Sequence, residues 1–237
     1  MSLIDASEPA ARPGGCVAIA DSSLLRNTEL FRDLEPELLD RLQRHAMLRR
    51  IHRGDVLFDE GDEASELFLV ASGRVAIANR SSDGRESVIA LMEAGDLFGE
   101  MPLFDGLGRS AEARALTTAE VVSLPYAPIT VLYDERPDLL WEVVGMLARR
   151  LRVADEALAD SVFLDVTGRT AKRLLEMAGD ADEFVLPVTQ EELAGMVGAS
   201  RERVNKAIAS FIRLGWIEQG DRKYHITDRE QLGRRSR

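Results

Sequence analysis

The segment FGEMPLFDGLGRS, Phe98 to Ser110, gathers residue types that suit a charged, sugar-bearing ligand. Arg109 offers a planar, permanently ionised fork that matches phosphate oxygens. Ser110, beside it, adds a hydroxyl donor, and Gly99 lets the backbone approach closely. Glu100 is out of place next to a phosphate unless its carboxylate faces something else, such as a sugar hydroxyl. A phosphate and a ribose hydroxyl at such short range suggest a compact nucleotide. The alternative is an ordinary glycine-rich loop with Arg109 bonded to a local acid such as Asp105. Residue chemistry alone leaves both open. The segment suits neither a regular strand nor a regular helix.

A second group of polar side chains lies in SRERVNKAIASF. Val204, Ala207, Ile208 and Phe211 form an apolar face. Arg201, Glu202, Asn205 and Lys206 crowd the opposite face near the N-terminal end. A recognition helix presents its N-terminal side chains to base edges in the major groove. Arginine forks onto guanine, and glutamate accepts from cytosine N4. Ser200 and Arg203 stand at the same end, and Lys206 lies one turn deeper. Thr189 and Gln190 open the preceding helix, where donors commonly hold phosphate. The bland alternative is a solvated amphipathic helix. The whole unit favours DNA. Thr189 and Glu192 form a capping box before a first helix, Gln190 to Val197, which ends at Gly198. A short GAS turn leads to the second helix, and WIEQ and KYHIT, joined by GDRK, read as a hairpin wing.

These sites need positioning elements. From Leu24 to about Leu48 the apolar spacing predicts two or three short helices, one opening at Glu35-Pro36. From about Arg49 to Pro125 short β-prone runs alternate with glycine, and Asp83-Gly84 marks a hairpin. Many short strands mean a barrel, roll or sandwich. From Pro137 to about Phe163 runs one long helix. Leu140, Val144, Leu147, Leu151, Ala154 and Leu158 step by fours and threes, a heptad seam suited to pairing with a second copy. The alternative is a helix packed on its own domain.

Composition sets outer bounds. The 237 residues carry a net charge of −11 and 45% hydrophobic residues, ordinary for a globular chain. The charge is uneven: residues 165–237 hold 13 Lys+Arg against 12 Asp+Glu, leaving −12 on the rest. The last third is therefore free to approach phosphate. No apolar run reaches transmembrane length and no signal peptide is evident, so the expected location is cytoplasmic with no membrane partner. The one cysteine, Cys16, permits no internal disulfide and no thiolate cluster. His45, His52 and His225 show no metal spacing. No prosthetic group and no metal site is expected. Residues 1–23 read as a loose tail rich in Gly, Ala, Pro and Ser.

Three motifs, in order, resemble the cAMP receptor protein (CRP/FNR) family of bacterial transcription regulators. GDLFGEMPLFDGLGRSAEARA is similar to its phosphate-binding cassette. LARRLRVADEALADSVFLDVTGRTAKRLL resembles its dimer helix and hinge. TQEELAGMVGASRERVNKAIASF resembles its helix-turn-helix. The likeness covers about Leu24 to the C-terminus, and GASRE, VNKA and LGRRSR look most like actinobacterial members.

The resemblance implies an α+β chain. A flexible tail (1–23) would precede a cyclic-nucleotide-binding β-roll, or double-stranded jelly-roll (24–136). A dimerisation helix (137–163) and a winged helix-turn-helix (164–237) would follow. It implies that Arg109 and Ser110 bind a cyclic phosphate, that Glu100 takes the ribose 2′-hydroxyl, and that Gly99 and Met101 line the same turn. Ile89 and Ala90 would flank the base, and Arg150 would face the pocket. Arg201, Glu202 and Lys206 would read a palindromic GTGA-like site. The implied partners are double-stranded DNA, a second copy of the chain, RNA polymerase and a cyclic nucleotide. The absence of clustered N-terminal cysteines argues against iron–sulfur sensing.

One departure concerns the base. Cyclic-AMP sensors usually carry Thr-Ser or Thr-Asn on the dimer helix, where this chain has Ala154-Asp155. Ala154 offers no hydrogen bond, and ionised Asp155 only accepts. It would suit adenine N6, or guanine N1 and N2 together, or stay solvated. The intact cassette favours cAMP as the allosteric ligand; cGMP or another guanine nucleotide, and DNA binding without nucleotide, are the alternatives. Rival classes are an enzyme, for which no catalytic motif is present, and a nucleotide-binding interaction module.

Overall fold

The structure is a computed structural model that describes residues 16–18, 23–80, 86–220 and 223–237. In chain order, β1 (Cys16–Ala18), α1 (Ser23–Arg26), α2 (Pro36–Gln43), β2 (Met47–Ile51), β3 (Val56–Phe58), β4 (Glu66–Ser72), β5 (Val75–Arg80) and β6 (Glu86–Met92) come first. Then follow β7 (Leu97–Phe98), α3 (Met101–Asp105), β8 (Glu112–Ala115), β9 (Ala119–Pro125), α4 (Tyr126–Glu135) and a 3-10 turn at Pro137–Leu139. The long α5 (Leu140–Phe163) leads through Leu164–Asp165 to α6 (Val166–Ala178), β10 (Glu183–Val185), α7 (Gln190–Val197) and α8 (Arg201–Arg213). The chain closes with β11 (Ile217–Gln219), β12 (Lys223–Ile226) and α9 (Arg229–Arg235).

Two antiparallel sheets make the N-terminal roll, in the orders β1-β2-β9-β4-β7 and β3-β8-β5-β6. Strand β4 shows how the layers form. Its side chains alternate: Phe68 and Val70 join Val75, Phe98, Ala113 and Val121 between the sheets. Leu67 and Leu69 turn the other way, onto Leu25, Phe31, Leu39, Ile129, Val143 and Met146 of the flanking helices. A third cluster fills the C-terminal domain and also takes in Ala76, Ala78, Val88 and Leu116 from the roll. The jelly-roll, long helix and winged helix-turn-helix expected of this α+β chain are all present.

Two expectations need correction. Cys16–Ala18 is not loose tail: it pairs antiparallel with Met47–Arg49 at the sheet edge. The glycine-rich segment is more regular than its composition suggests, because Leu97–Phe98 pairs with Phe68–Leu69 and Met101–Asp105 makes a short helix. The helix α4 follows β9 directly, over residues to which the sequence assigned no element. The Asp83-Gly84 turn lies outside the described residues, although Arg80 and Glu86 on either side are paired. Asp221 and Arg222 of the wing turn also lie outside them.

Leu69 is 1% exposed at the junction of sheet and helices. Leu69→Ala is expected to cost about 2–5 kcal/mol of stability, read from the shift in a urea unfolding midpoint.

Candidate functional site

Arg109 sits in the loop between α3 and β8, which is pinned to a neighbouring turn. The Arg109 N–H donates to the Asp62 carbonyl at 2.9 Å, and the Gly61 N–H donates to the Arg109 carbonyl at 2.8 Å. The side chain turns inward and is 5% exposed. Its Nη2 donates to the Glu66 carbonyl at 2.8 Å and its Nη1 to the Gly99 carbonyl at 2.8 Å and the Tyr126 hydroxyl at 3.1 Å. The guanidinium carbon lies 4.1 Å from the centroid of the Phe58 ring and 5.5 Å from that of Phe68. Stacking on an aromatic face is favourable for a weakly hydrated cation.

Gly99 is required here on two counts. Its φ is +75°, and a Cβ at this position would stand 2.6 Å from Arg109 Nη1. The next residue, Glu100, is 1% exposed and accepts from Arg150 Nη1 of α5. Arg150 Nη2 also donates to the Leu97 carbonyl at 2.5 Å. Ser110 is exposed, and its hydroxyl contacts Met101 Sδ at 3.4 Å. The structure thus brings Gly99, Glu100, Met101, Arg109, Ser110 and Arg150 together. Ile89 is exposed on β6 with half-buried Ala90 beside it, and Ile89 and Ala154 line one cavity of 340 Å³. Asp155 is exposed on α5.

Sequence reading missed Tyr126. Its hydroxyl donates to the Gly99 carbonyl and accepts from Arg109. Burial pushes its phenol above the ordinary tyrosine range, which keeps the donated proton in place. Tyr126 is the first residue after β9, and its 17-residue separation from Arg109 fits no local period. Phe58 and the Glu66 carbonyl carry equally little signal.

In the C-terminal domain the capping box forms as expected. The Glu192 N–H donates to Thr189 Oγ1 at 3.2 Å, and the Thr189 N–H donates to Glu192 Oε2 at 2.7 Å. Gly198 adopts φ +67° to close α7, so the turn into α8 needs a residue free of Cβ strain. Ser200 caps α8 by accepting from the Arg203 N–H at 3.4 Å. Val204, Ala207, Ile208 and Phe211 are buried, leaving Arg201, Glu202, Arg203, Asn205 and Lys206 exposed. Lys206 Nζ lies 2.7 Å from Glu202, and that bond holds the Glu202 carboxyl below the usual range. Gln190 is half-buried and its amide donates to the Tyr224 hydroxyl at 2.9 Å, tying α7 to the wing. Among the described residues, no His, Cys, Asp and Glu cluster is placed to hold a metal, and no helix is long and apolar enough to cross a membrane.

A jelly-roll with an internal arginine site, joined by one long helix to a winged helix-turn-helix, defines the class of two-domain DNA-binding regulators with a ligand-binding roll. Residues 48–136 match the family model of the cyclic nucleotide-binding domain, and residues 168–235 match the Crp-like helix-turn-helix domain. The chain is 37% identical over 221 residues to the CRP-like cAMP-activated global transcriptional regulator of Mycobacterium tuberculosis, covering 90% of this chain and 99% of that protein. It is 34% identical over 189 residues to the cAMP-activated global transcriptional regulator Vfr of Pseudomonas aeruginosa, covering 76% and 88%. Among solved structures, the c-di-GMP responsive global regulator CLP of Xanthomonas campestris superposes with a TM-score of 0.71 at 26% identity, covering 81% of this chain and 99% of that one. The chain belongs to the CRP/FNR family, whose members are transcription regulators and not enzymes.

Tyr126→Phe removes a half-buried hydroxyl that joins Gly99 to Arg109. It is expected to cost about 0.5–1.5 kcal/mol, measured by urea unfolding of the full chain.

Proposed function

We propose that the chain is a homodimeric transcription regulator whose affinity for a palindromic GTGA-like operator is set by cAMP. The observation that carries this reading is the junction of Arg109, Glu100 and Arg150 in one small site. A cyclic phosphate would take the Arg109 guanidinium and the Ser110 hydroxyl, displacing the carbonyls of Gly99 and Glu66 that hold the guanidinium. The charge on phosphate makes it a stronger acceptor than either carbonyl. A ribose hydroxyl would donate to Glu100, the carboxylate already joined to Arg150. Ligand binding therefore acts on a group attached to α5. Ile89 and Ala90 would flank the base, with Ala154 and Asp155 on the far side.

Self-association is supported by the α5 seam. Leu140, Val144, Leu147, Leu151 and Leu158 are all exposed in the single chain, whereas Val143 and Met146 are buried against its own roll. A heptad face of that kind is satisfied by its own copy. Two α8 helices would then meet successive major grooves of one DNA face, with Arg201, Glu202 and Lys206 on base edges and Thr189, Gln190, Ser200 and Arg203 near the backbone. A bound regulator would act through RNA polymerase. The ligand shifts this arrangement only by its preference for the DNA-binding state. Asp155, an acceptor near the base position, favours a second reading in which a guanine nucleotide is the effector.

Calorimetric titration with cAMP and cGMP, with and without a TGTGA-containing duplex, separates these readings. Tighter cAMP binding that strengthens DNA binding is expected; a preference for cGMP would select the second reading, and binding of neither would overturn both. Arg109→Ala is expected to abolish nucleotide binding while leaving the dimer intact in sedimentation. Arg201→Ala should cost about 1–3 kcal/mol at one base step and relax specificity there. An equal loss on all duplexes would make it a phosphate contact.

A further inference from the structure

The hinge between the two domains is short. Helix α5 ends at Phe163, Leu164 is extended, and Asp165 already caps α6, accepting from the Gly168 N–H at 2.8 Å. Three cationic side chains converge on it. Lys172 of α6 binds Asp160 of α5. Arg169 donates to the Leu164 carbonyl at 2.7 Å and to the Val197 carbonyl, at the end of α7, at 2.8 Å. The third is Arg235, from the last turn of α9, on Asp165.

Helix α9 runs antiparallel to α6 and holds its other end too. Arg229 donates to the carbonyls of Gly179 at 2.8 Å and Ala181 at 2.5 Å, just past the α6 C-terminus, and lies 3.3 Å from Asp182. The seven-residue α9 is about 10 Å long. The 13-residue α6 is about 20 Å long. The two outstretched arginines make up the difference. Between them Leu232 is fully buried in the domain core. Gly168 marks how closely the helices meet: a Cβ there would lie 3.0 Å from the Arg235 carbonyl oxygen and 3.3 Å from Arg235 Nη1. So short a helix does not persist alone in water. It exists by being docked, and what it docks on is the helix that carries the hinge.

We propose that α9 is a splint across α6, and that Arg235 is a positioning residue that restrains the Leu164–Asp165 hinge and so fixes the bearing of α8 relative to α5. The bearing passes from hinge to reading helix because α6 and α8 share one core, Ala171 and Leu174 on one side and Val204 and Ile208 on the other. The splint adds no ligand contact and no base contact. Its effect on operator binding rests on the regulator reading above; its effect on the hinge does not.

The test is hydrogen exchange on the full chain, comparing wild type with Arg235→Ala, Arg235→Lys and Gly168→Ala. Loss of one half-exposed ion pair is expected to raise exchange over residues 164–170 about fivefold, with the lysine variant recovering part of the protection and Gly168→Ala acting in the same direction as Arg235→Ala. Outside residues 164–170 and α9 itself, exchange in the C-terminal domain stays unchanged. Nucleotide affinity stays at the wild-type value, while operator affinity of the nucleotide-loaded Arg235→Ala protein falls by a comparable factor. Unchanged hinge exchange in both Arg235→Ala and Gly168→Ala overturns the splint, as does a uniform rise across the domain, which marks plain destabilisation. Faster hinge exchange with operator affinity retained overturns the positioning role. Wild-type protein that binds neither nucleotide nor operator defeats the regulator reading and leaves the exchange result to decide the splint.

Discussion

The interior of the roll is organised around one buried cation, Arg109. The Arg109 guanidinium rests on Phe58, and two backbone carbonyls and the Tyr126 hydroxyl meet its edges. Removing a charge from water is costly unless acceptors replace the lost hydration. That requirement explains several features together. Gly99 lacks a side chain because a Cβ would collide with the guanidinium. Tyr126 begins α4 at the point where β9 delivers it to Arg109 and Gly99. The loop before Ser110 is fastened to Gly61 and Asp62 so that the arginine enters from a fixed direction.

Glu100 and Arg150 extend that organisation out of the roll. Glu100 is adjacent in sequence to Gly99, whose carbonyl Arg109 holds, and its own carboxylate reaches α5. The same helix carries the exposed apolar seam and ends at the hinge. The Arg109 site, the exposed apolar seam and the helix-turn-helix domain are therefore linked through one helix, with Arg150 bonded to Glu100 near its middle and Asp160 bonded to Lys172 near its end.

Much of this was legible in the sequence because the signals were local. The Thr189–Glu192 capping box, Gly198 and the 3.6-residue spacing of Val204, Ala207, Ile208 and Phe211 define the helix-turn-helix within a short window, and α7 occupies the expected residues. The heptad steps of α5 were equally plain. Arg109, Ser110 and Glu100 stood out as chemistry without a secondary-structure role. What was not legible depended on distant partners. Tyr126 matters only because the fold returns it to Gly99. Helix α3 begins with Met101-Pro102 inside a glycine-rich run whose average composition conceals it. Cys16–Ala18 becomes a strand only because Met47–Arg49 offers a free edge. The inward turn of the Arg109 side chain, likewise, is set by Phe58 and Glu66, far upstream.

Strands β5 and β6 carry Ala76, Ala78 and Val88, which with Leu116 belong to the same apolar cluster as Leu193, Val197 and Phe211 of the DNA-reading domain. Arg74 reinforces this contact by donating to the Pro187 carbonyl at 3.2 Å. The roll and the winged helix match separate family models over separate residues, yet here they share a core. Cutting the chain at Leu164 to obtain either half would uncover an apolar surface on both products. Neither fragment would be a neutral subtraction from the whole: each would carry a raw interface, and its solubility and self-association would report the cut as much as the domain.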